Sequence, residues 1–127
     1  MTIQEFKNNY SLTDGEVITL YLEYGSKNSQ GVDNITIQVN GRKFLSKGKF
    51  ENATFSLKFN ALLEFNFYDC FDCKAISQST LTKTSLGQFY LSLDPFSEDK
   101  PSEEDNMIIK SQELFFIDPN GKSHQIT

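Results

Sequence analysis

The amino-acid sequence predicts a mainly β fold, an antiparallel β-sandwich or partly open barrel of seven to eight strands with one short N-terminal helix. Apolar and polar residues alternate through most of the chain, which is the period of a half-buried strand. Turn sequences separate these stretches at hairpin spacing, which favours antiparallel pairing over βαβ units. The sequence shows neither a repeat nor a linker, so residues 1–127 are predicted to form a single domain.

The first predicted element is a helix. The segment "TIQEFKNNY" opens with Thr2 and Glu5 at the spacing of a capping box. Ile3, Phe6 and Tyr10 then recur at helical intervals. A short N-terminal helix follows from these two signals together.

The remaining elements are predicted as strands. Asp14–Gly15 is expected to be a turn that separates the helix from a strand at 16–24, which has one strongly apolar face. After a strand at 34–39, Asn40–Gly41 is predicted as a hairpin turn, because both turn positions need positive φ, and 42–45 as the returning strand. Further strands are predicted at residues 53–59, 62–71, 87–94, 106–117 and 122–127, with a tight turn at 118–121 before the last, an edge strand.

The surplus charge of the chain lies in one segment, "DPFSEDKPSEEDN", residues 94–106. Its six acidic residues and one lysine sum to −5, which equals the net charge of the whole chain. We interpret it as a solvated loop that docks a basic protein surface, with Phe96 as an aromatic anchor. The competing interpretation is a loop that only keeps the protein soluble. The predicted partner-binding residues are Asp94, Phe96, Glu98, Asp99, Glu103, Glu104 and Asp105.

Composition argues against several functions. A pI near 4.8 disfavours nucleic acid and anionic membrane surfaces, because both are bound largely through Lys and Arg. The sequence contains neither a nucleophile elbow nor a glycine-rich phosphate loop. Its only histidine, His124, is expected on the surface or on an edge strand. The sequence therefore predicts a protein that is not an enzyme, takes no cofactor and binds neither nucleic acid nor membrane.

Cys70 and Cys73 form a Cys-x-x-Cys motif, which has three possible interpretations: a redox dithiol, half of a zinc site, or two structural thiols. A redox dithiol needs a lowered thiol pKa, whereas the neighbouring Asp69 and Asp72 would raise it. A zinc site needs four ligands, and only His124 could add a nitrogen. We predict two reduced, partly buried thiols and no metal site. A calcium- or zinc-dependent β-sandwich module is the alternative, although the acidic segment lacks the spacing of a compact calcium loop.

A basic cluster opposes the acidic segment in sign. It lies in "GRKFLSKGK" and is expected to lack interleaved exposed aromatics, which makes it weak support for nucleic-acid binding. It could balance the acidic segment within one molecule or between two copies, so a homo-oligomeric interaction protein is a further alternative. The cluster consists of Arg42, Lys43, Lys47 and Lys49.

The run "FYLSLDPFSEDKPSEEDNMIIKSQELFF" resembles small acidic immunity proteins of bacterial polymorphic or contact-dependent toxin systems. The resemblance covers residues 89–116 and implies a role, neutralising a toxin by occluding a basic surface, without catalytic residues. Asp94 to Asp105 would then make the contact. The N-terminus shows no basic region followed by an apolar one, and no apolar run approaches the roughly 20 residues of a membrane span, so a cytoplasmic location is expected.

Overall fold

A computed structural model describes residues 1–25, 31–67, 75–98 and 100–127. Over these residues the chain forms one short helix and a seven-stranded antiparallel sheet, so the predicted mainly β fold with an N-terminal helix is confirmed. In chain order the elements are α1 (Ile3–Asn9), β1 (Tyr10–Tyr24), β2 (Val32–Ser46), β3 (Lys49–Asn66), β4 (Thr80–Lys83), β5 (Phe89–Asp94), β6 (Asn106–Ile117) and β7 (Ser123–Ile126).

The strands make one open, curled sheet, a half-barrel, rather than a sandwich. Their order is β1-β2-β3-β6-β5-β4, and β7 pairs with the end of β6 that β5 leaves free. Register shifts interrupt the pairing of β1 with β2, of β2 with β3 and of β3 with β6. Such bulges increase the local twist, which is how strands this long curl instead of staying flat.

The inner face of the sheet buries the core, and α1 covers it. Phe6 of the helix is 1% exposed and packs its ring against Phe55 and Phe116, with centroid distances of 5.9 and 5.0 Å. Thr2 caps the helix by accepting the Glu5 N–H on its hydroxyl at 3.0 Å, as the sequence predicts. The helix therefore starts where the capping signal lies and contributes one aromatic to the core.

The predicted hairpin turn at Asn40–Gly41 is wrong, because these residues lie inside β2 and 42–45 continue the same strand. The chain turns instead at Lys47–Gly48, where Gly48 supplies the positive φ of 75°. Gly41 is needed for a different reason. A Cβ there would lie 2.5 Å from the Ser11 carbonyl oxygen and 2.9 Å from the Phe55 ring.

Asp14–Gly15 is also not the predicted turn between elements but a bulge within β1. Pairing with β2 jumps from Ser11 to Glu16, and Asp14 has a φ of 64°. The bulged backbone reaches across to Ile76, whose carbonyl accepts the Asp14 N–H at 2.7 Å and whose N–H donates to the Gly15 carbonyl at 2.8 Å. These contacts tie the first strand to the segment before β4, at the far edge of the sheet.

The second half of β1, residues 17–24, is more exposed than its alternating apolar pattern predicts. Ile18, Leu20 and Tyr24 stay outside the core, at 47%, 40% and 74% exposed. Val17 and Leu22 are partly buried and pack against it. Here β1 is the edge strand, and the core is built from β2, β3 and the strands beyond them. The strand predicted at 53–59 does bury its apolar face, and the turn at 118–121 and the final edge strand are confirmed.

Candidate functional site

The acidic segment forms the connection between β5 and β6, and residues 94–106 are called the acidic loop below. Asp94 and Asn106 pair across its base, where the Asn106 side-chain amide donates to Asp94 Oδ2 at 3.2 Å. The buried Ser92 hydroxyl donates to the Asn106 carbonyl at 2.6 Å. The loop therefore starts and ends on paired strands that fix its two stems.

Asp105 organises the interior of the loop. Its side chain is buried, with the residue 5% exposed. Oδ1 accepts the Phe96 N–H at 2.8 Å, and Oδ2 accepts the Ser102 N–H at 2.9 Å and the Tyr90 hydroxyl at 2.5 Å. The expectation that the acidic side chains of this segment are all solvated is therefore wrong for Asp105, which turns inward because three donors converge on it.

The charge states of this pair follow from its surroundings. Burial by itself raises the pKa of Asp105, but the hydrogen bonds from Tyr90, Phe96 and Ser102 outweigh it and hold the pKa below its usual range. Burial, and then the hydrogen bond to Asp105, raise the pKa of Tyr90. At neutral pH a neutral tyrosine thus donates to a charged carboxylate, a stronger hydrogen bond than one between neutral groups.

Two further contacts hold the loop. The buried Thr80 hydroxyl donates to the Ser97 carbonyl at 3.1 Å, which links the loop to β4. On the other limb, Ser102 accepts the Asp105 N–H on its carbonyl at 3.1 Å and the Glu104 N–H on its hydroxyl at 3.2 Å. The exposed side chains of the loop therefore project from a backbone that is hydrogen-bonded at several points.

The outward side of the loop carries charge and one aromatic ring. Phe96 is 69% exposed, and Asp94, Glu98, Glu103 and Glu104 are exposed as well. None of these carboxylates forms an ion pair with another described residue. Asp99 lies outside the described residues. Of the seven predicted partner-binding residues, the structure thus places five together on the surface and one inside.

A polar groove runs beside the loop, between it and the strands β3 and β6. It has a volume of about 650 Å³ and includes Glu103 and Glu104 on one side and Lys110 on the other. Among the described residues, no group of three or more His, Cys, Asp or Glu side chains is placed to hold a metal ion. Cys70 and Cys73 lie outside the described residues, so their predicted role stays a prediction.

His124 lies on the edge strand β7, as expected, and its side chain contacts residues at the β6–β7 turn. Its Nε2 lies 3.0 Å from Asp118 Oδ2, and its ring stacks on Phe116 at a centroid distance of 5.7 Å. The hydrogen bond with His124, followed by the Lys122 N–H, lowers the pKa of Asp118. Asp118 Oδ1 accepts the N–H groups of Asn120 and Lys122, so this cluster fixes the β6–β7 turn.

The basic cluster lies at the β2–β3 hairpin tip, residues 42–50, and here the sequence prediction is corrected. Exposed aromatics do interleave with the basic residues, because Phe44 is 39% and Phe50 48% exposed. The Arg42 guanidinium lies over the Phe50 ring at 4.2 Å and forms an ion pair with Asp14 at 3.3 Å. The sequence signal is a phenylalanine on either side of Lys47 and Lys49, and it indicates a shared surface only when the turn lies between these two phenylalanines, at Lys47–Gly48.

Comparisons with protein-family models, with curated proteins and with solved structures found no match for this chain. In the part of the chain that the structure describes, no helix is long and apolar enough to cross a membrane.

Proposed function

We propose that this chain is a non-enzymatic binding protein that docks its acidic loop on a basic surface of a partner protein. The observation that carries the proposal is the buried Asp105 carboxylate, which draws both limbs of the loop together beneath the exposed carboxylates and Phe96. A loop held in this way loses little conformational entropy on binding, which favours affinity.

The exposed groups suit the two parts of a binding reaction. Carboxylates that no described cation neutralises steer a basic partner toward the loop and accelerate encounter. Phe96, an aromatic side chain of the acidic loop that is 69% exposed, supplies an apolar anchor of the kind that interface hot spots use. The partner class we propose is therefore a basic protein.

The biological role we propose is that of an immunity protein, which neutralises a bacterial toxin in the cytoplasm by occluding its basic surface. It rests on the resemblance of residues 89–116 to such proteins and on the charge of the loop. A toxin that cleaves nucleic acid holds phosphates with basic residues, and an acidic loop of fixed shape can occupy the same residues. Binding there excludes the substrate without any chemistry by the immunity protein.

The test is to search the neighbouring genes for a large secreted toxin and to co-express its toxic domain with this chain in bacteria, reading cell growth and one-to-one co-purification. The wild-type chain should restore growth. A variant with Glu98, Glu103 and Glu104 changed to Gln should restore it less at equal protein levels. A control variant changes Glu51 and Glu113, two exposed carboxylates outside the loop, to Gln and should protect like wild type. Full protection by the loop variant would refute the proposed role of the loop.

A further inference from the structure

The β2–β3 hairpin tip is an exposed apolar surface framed by positive charge. Phe44 and Phe50 are paired across the two strands, and Leu45 beside them is 56% exposed. Grouped apolar side chains of this kind on a soluble domain mark a contact surface. The tip belongs neither to the acidic loop nor to the core, so nothing described so far accounts for its exposure.

Two of the basic residues at the tip have no ion-pair partner among the described residues, whereas Arg42 is paired with Asp14. Lys47 and Lys49 are exposed, and within residues 1–25, 31–67, 75–98 and 100–127 neither forms an ion pair. The same holds for Glu98, Glu103 and Glu104 of the acidic loop. One molecule thus carries two patches of opposite sign, each with an exposed aromatic residue, and no described ion pair joins the two patches.

The two patches border a common groove. Phe44 of the hairpin and Glu98 of the acidic loop both line a cleft of about 150 Å³ beside Lys7 of the helix. Because Phe44 and Glu98 line the same opening, the hairpin tip and this limb of the acidic loop lie side by side, and a twofold rotation can bring the acidic loop of each copy against the hairpin tip of the other. Such an interface is self-complementary and closes at two copies.

We propose that the β2–β3 hairpin tip binds the acidic loop of a second copy of this chain, in a reciprocal dimer. Phe96 of one copy packs against Phe44 and Phe50 of its partner, and lysines meet glutamates around this apolar centre. Phosphate-bearing partners fit less well, because the whole chain has a net charge of −5 and repels them. The repulsion between two such copies is screened over about 8 Å at physiological ionic strength, whereas the contacting charges attract at short range.

This inference does not rest on the proposed function. If both hold, the second copy and the basic partner compete for one acidic loop. The dimer is measured on the purified chain alone, and toxin binding is measured with a monomeric hairpin variant whose loop is unchanged. Failure of one proposal therefore leaves the test of the other intact.

The first experiment measures molar mass by sedimentation equilibrium from about 1 μM to about 1 mM, the range of moderate to weak association. Wild type should approach the mass of two copies, with a dissociation constant that rises with salt. The Lys47→Glu, Lys49→Glu double variant should dissociate at least about tenfold more readily. A control of equal charge change, Lys83→Glu with Lys122→Glu, alters two exposed lysines outside the tip and should dimerise like wild type.

The second experiment is a charge swap. Glu103→Lys with Glu104→Lys should by itself weaken the dimer, and mixing this variant with the hairpin variant should restore a one-to-one dimer, because both contacts again join opposite signs. Circular dichroism of each variant verifies that it is folded. The proposal is overturned if wild type stays monomeric throughout, if its mass grows beyond two copies, or if the mixture fails to associate. Binding of a short single-stranded DNA or of anionic vesicles through Lys47 and Lys49, without self-association, would also overturn it.

Discussion

The Tyr90 hydroxyl donates a hydrogen bond to the Asp105 carboxylate at 2.5 Å, and both residues are at least nine-tenths buried. Tyr90 stands on β5, next to β6, while Asp105 is the last loop residue before the β5–β6 hairpin closes at Asn106. The pair therefore couples the most charged segment of the chain to the sheet. Two consequences for stability follow from its position.

Removing the Asp105 carboxylate should destabilise the acidic loop. Asp105→Ala leaves the Phe96 and Ser102 N–H groups and the Tyr90 hydroxyl without their acceptor, so we expect the free energy of unfolding to fall by about 2 to 4 kcal/mol. Tyr90→Phe removes one donor and should cost about 1 kcal/mol. Urea denaturation measures both. The control Glu104→Gln, at an exposed site, should change stability by less than about 0.5 kcal/mol; equal losses in Asp105→Ala and Glu104→Gln would contradict the structural role of Asp105.

The same pair predicts a stability dependence at both ends of the pH scale. The pKa of Asp105 is lowered in the fold, so its contribution is complete above the unfolded value of about 4 and is lost as the pH falls through the folded pKa. The pKa of Tyr90 is raised, so its contribution is complete below the unfolded value of about 10 and declines as the pH rises beyond it. The stabilities of wild type and Tyr90→Phe should converge above about pH 10, because Tyr90 then ionises in the unfolded chain while the fold still keeps it neutral. If the difference in unfolding free energy between wild type and Tyr90→Phe stays constant up to about pH 12, the predicted contribution of Tyr90 ionisation is contradicted.

Glycine substitutions should separate close packing from turn geometry. Gly41→Ala places a Cβ against the Ser11 backbone and the Phe55 ring, so a loss of about 1 to 3 kcal/mol in unfolding free energy is expected. Gly48→Ala meets no atom but holds a φ of 75°, which costs an alanine about 1 to 2 kcal/mol. Gly31→Ala has open space and no positive φ, and should be neutral or slightly stabilising. Thermal unfolding compares the three, and a neutral Gly41→Ala would show that β1 and β2 separate more easily than their packing indicates.

These glycines also show how far local sequence predicts the fold. Alternation identified the strands that supply the core, since Phe55, Leu57 and Phe59 are buried as expected. It could not distinguish a glycine that turns the chain from one that lets another backbone approach. Gly41 is of the second kind, and the Ser11 carbonyl that requires it is 30 residues away in sequence. Such a contact is a property of the folded sheet and has no local signal.

The candidate site was predictable in location but not in internal structure. Net charge alone located the acidic loop, and Phe96 is exposed within it as the anchor hypothesis requires. Composition could not tell Asp105 from its neighbour Glu104, because the difference lies in donors that converge from Tyr90 and the loop backbone. The shorter aspartate side chain next to the β6 stem is the residue that reaches them. Burial thus separates one structural carboxylate, Asp105, from the exposed carboxylates of the same acidic run.

The exposed carboxylates of the acidic loop should affect the kinetics of partner binding more than the stability of the fold. Changing Glu98, Glu103 and Glu104 to Gln should leave the free energy of unfolding nearly unchanged, because exposed and mutually repelling charges contribute little to it. The association rate should fall and its dependence on salt should flatten, since steering scales with the field of the loop and is screened over about 8 Å at physiological ionic strength. Stopped-flow mixing at two salt concentrations measures both, with the Glu51→Gln, Glu113→Gln variant as control.

Phe96→Ala should change the dissociation rate of the partner complex. If this ring, now 69% exposed, is enclosed by the partner, its removal should speed dissociation and cost about 1 to 3 kcal/mol of affinity, with the association rate almost unaffected. The variant should fold normally, because the Phe96 contact to Asp105 runs through the backbone N–H, which alanine retains. Surface-based kinetics on the monomeric Lys47→Glu, Lys49→Glu background keeps self-association from masking either rate. Should dissociation stay at the wild-type rate, Phe96 is not an anchor and binding rests on the carboxylates alone.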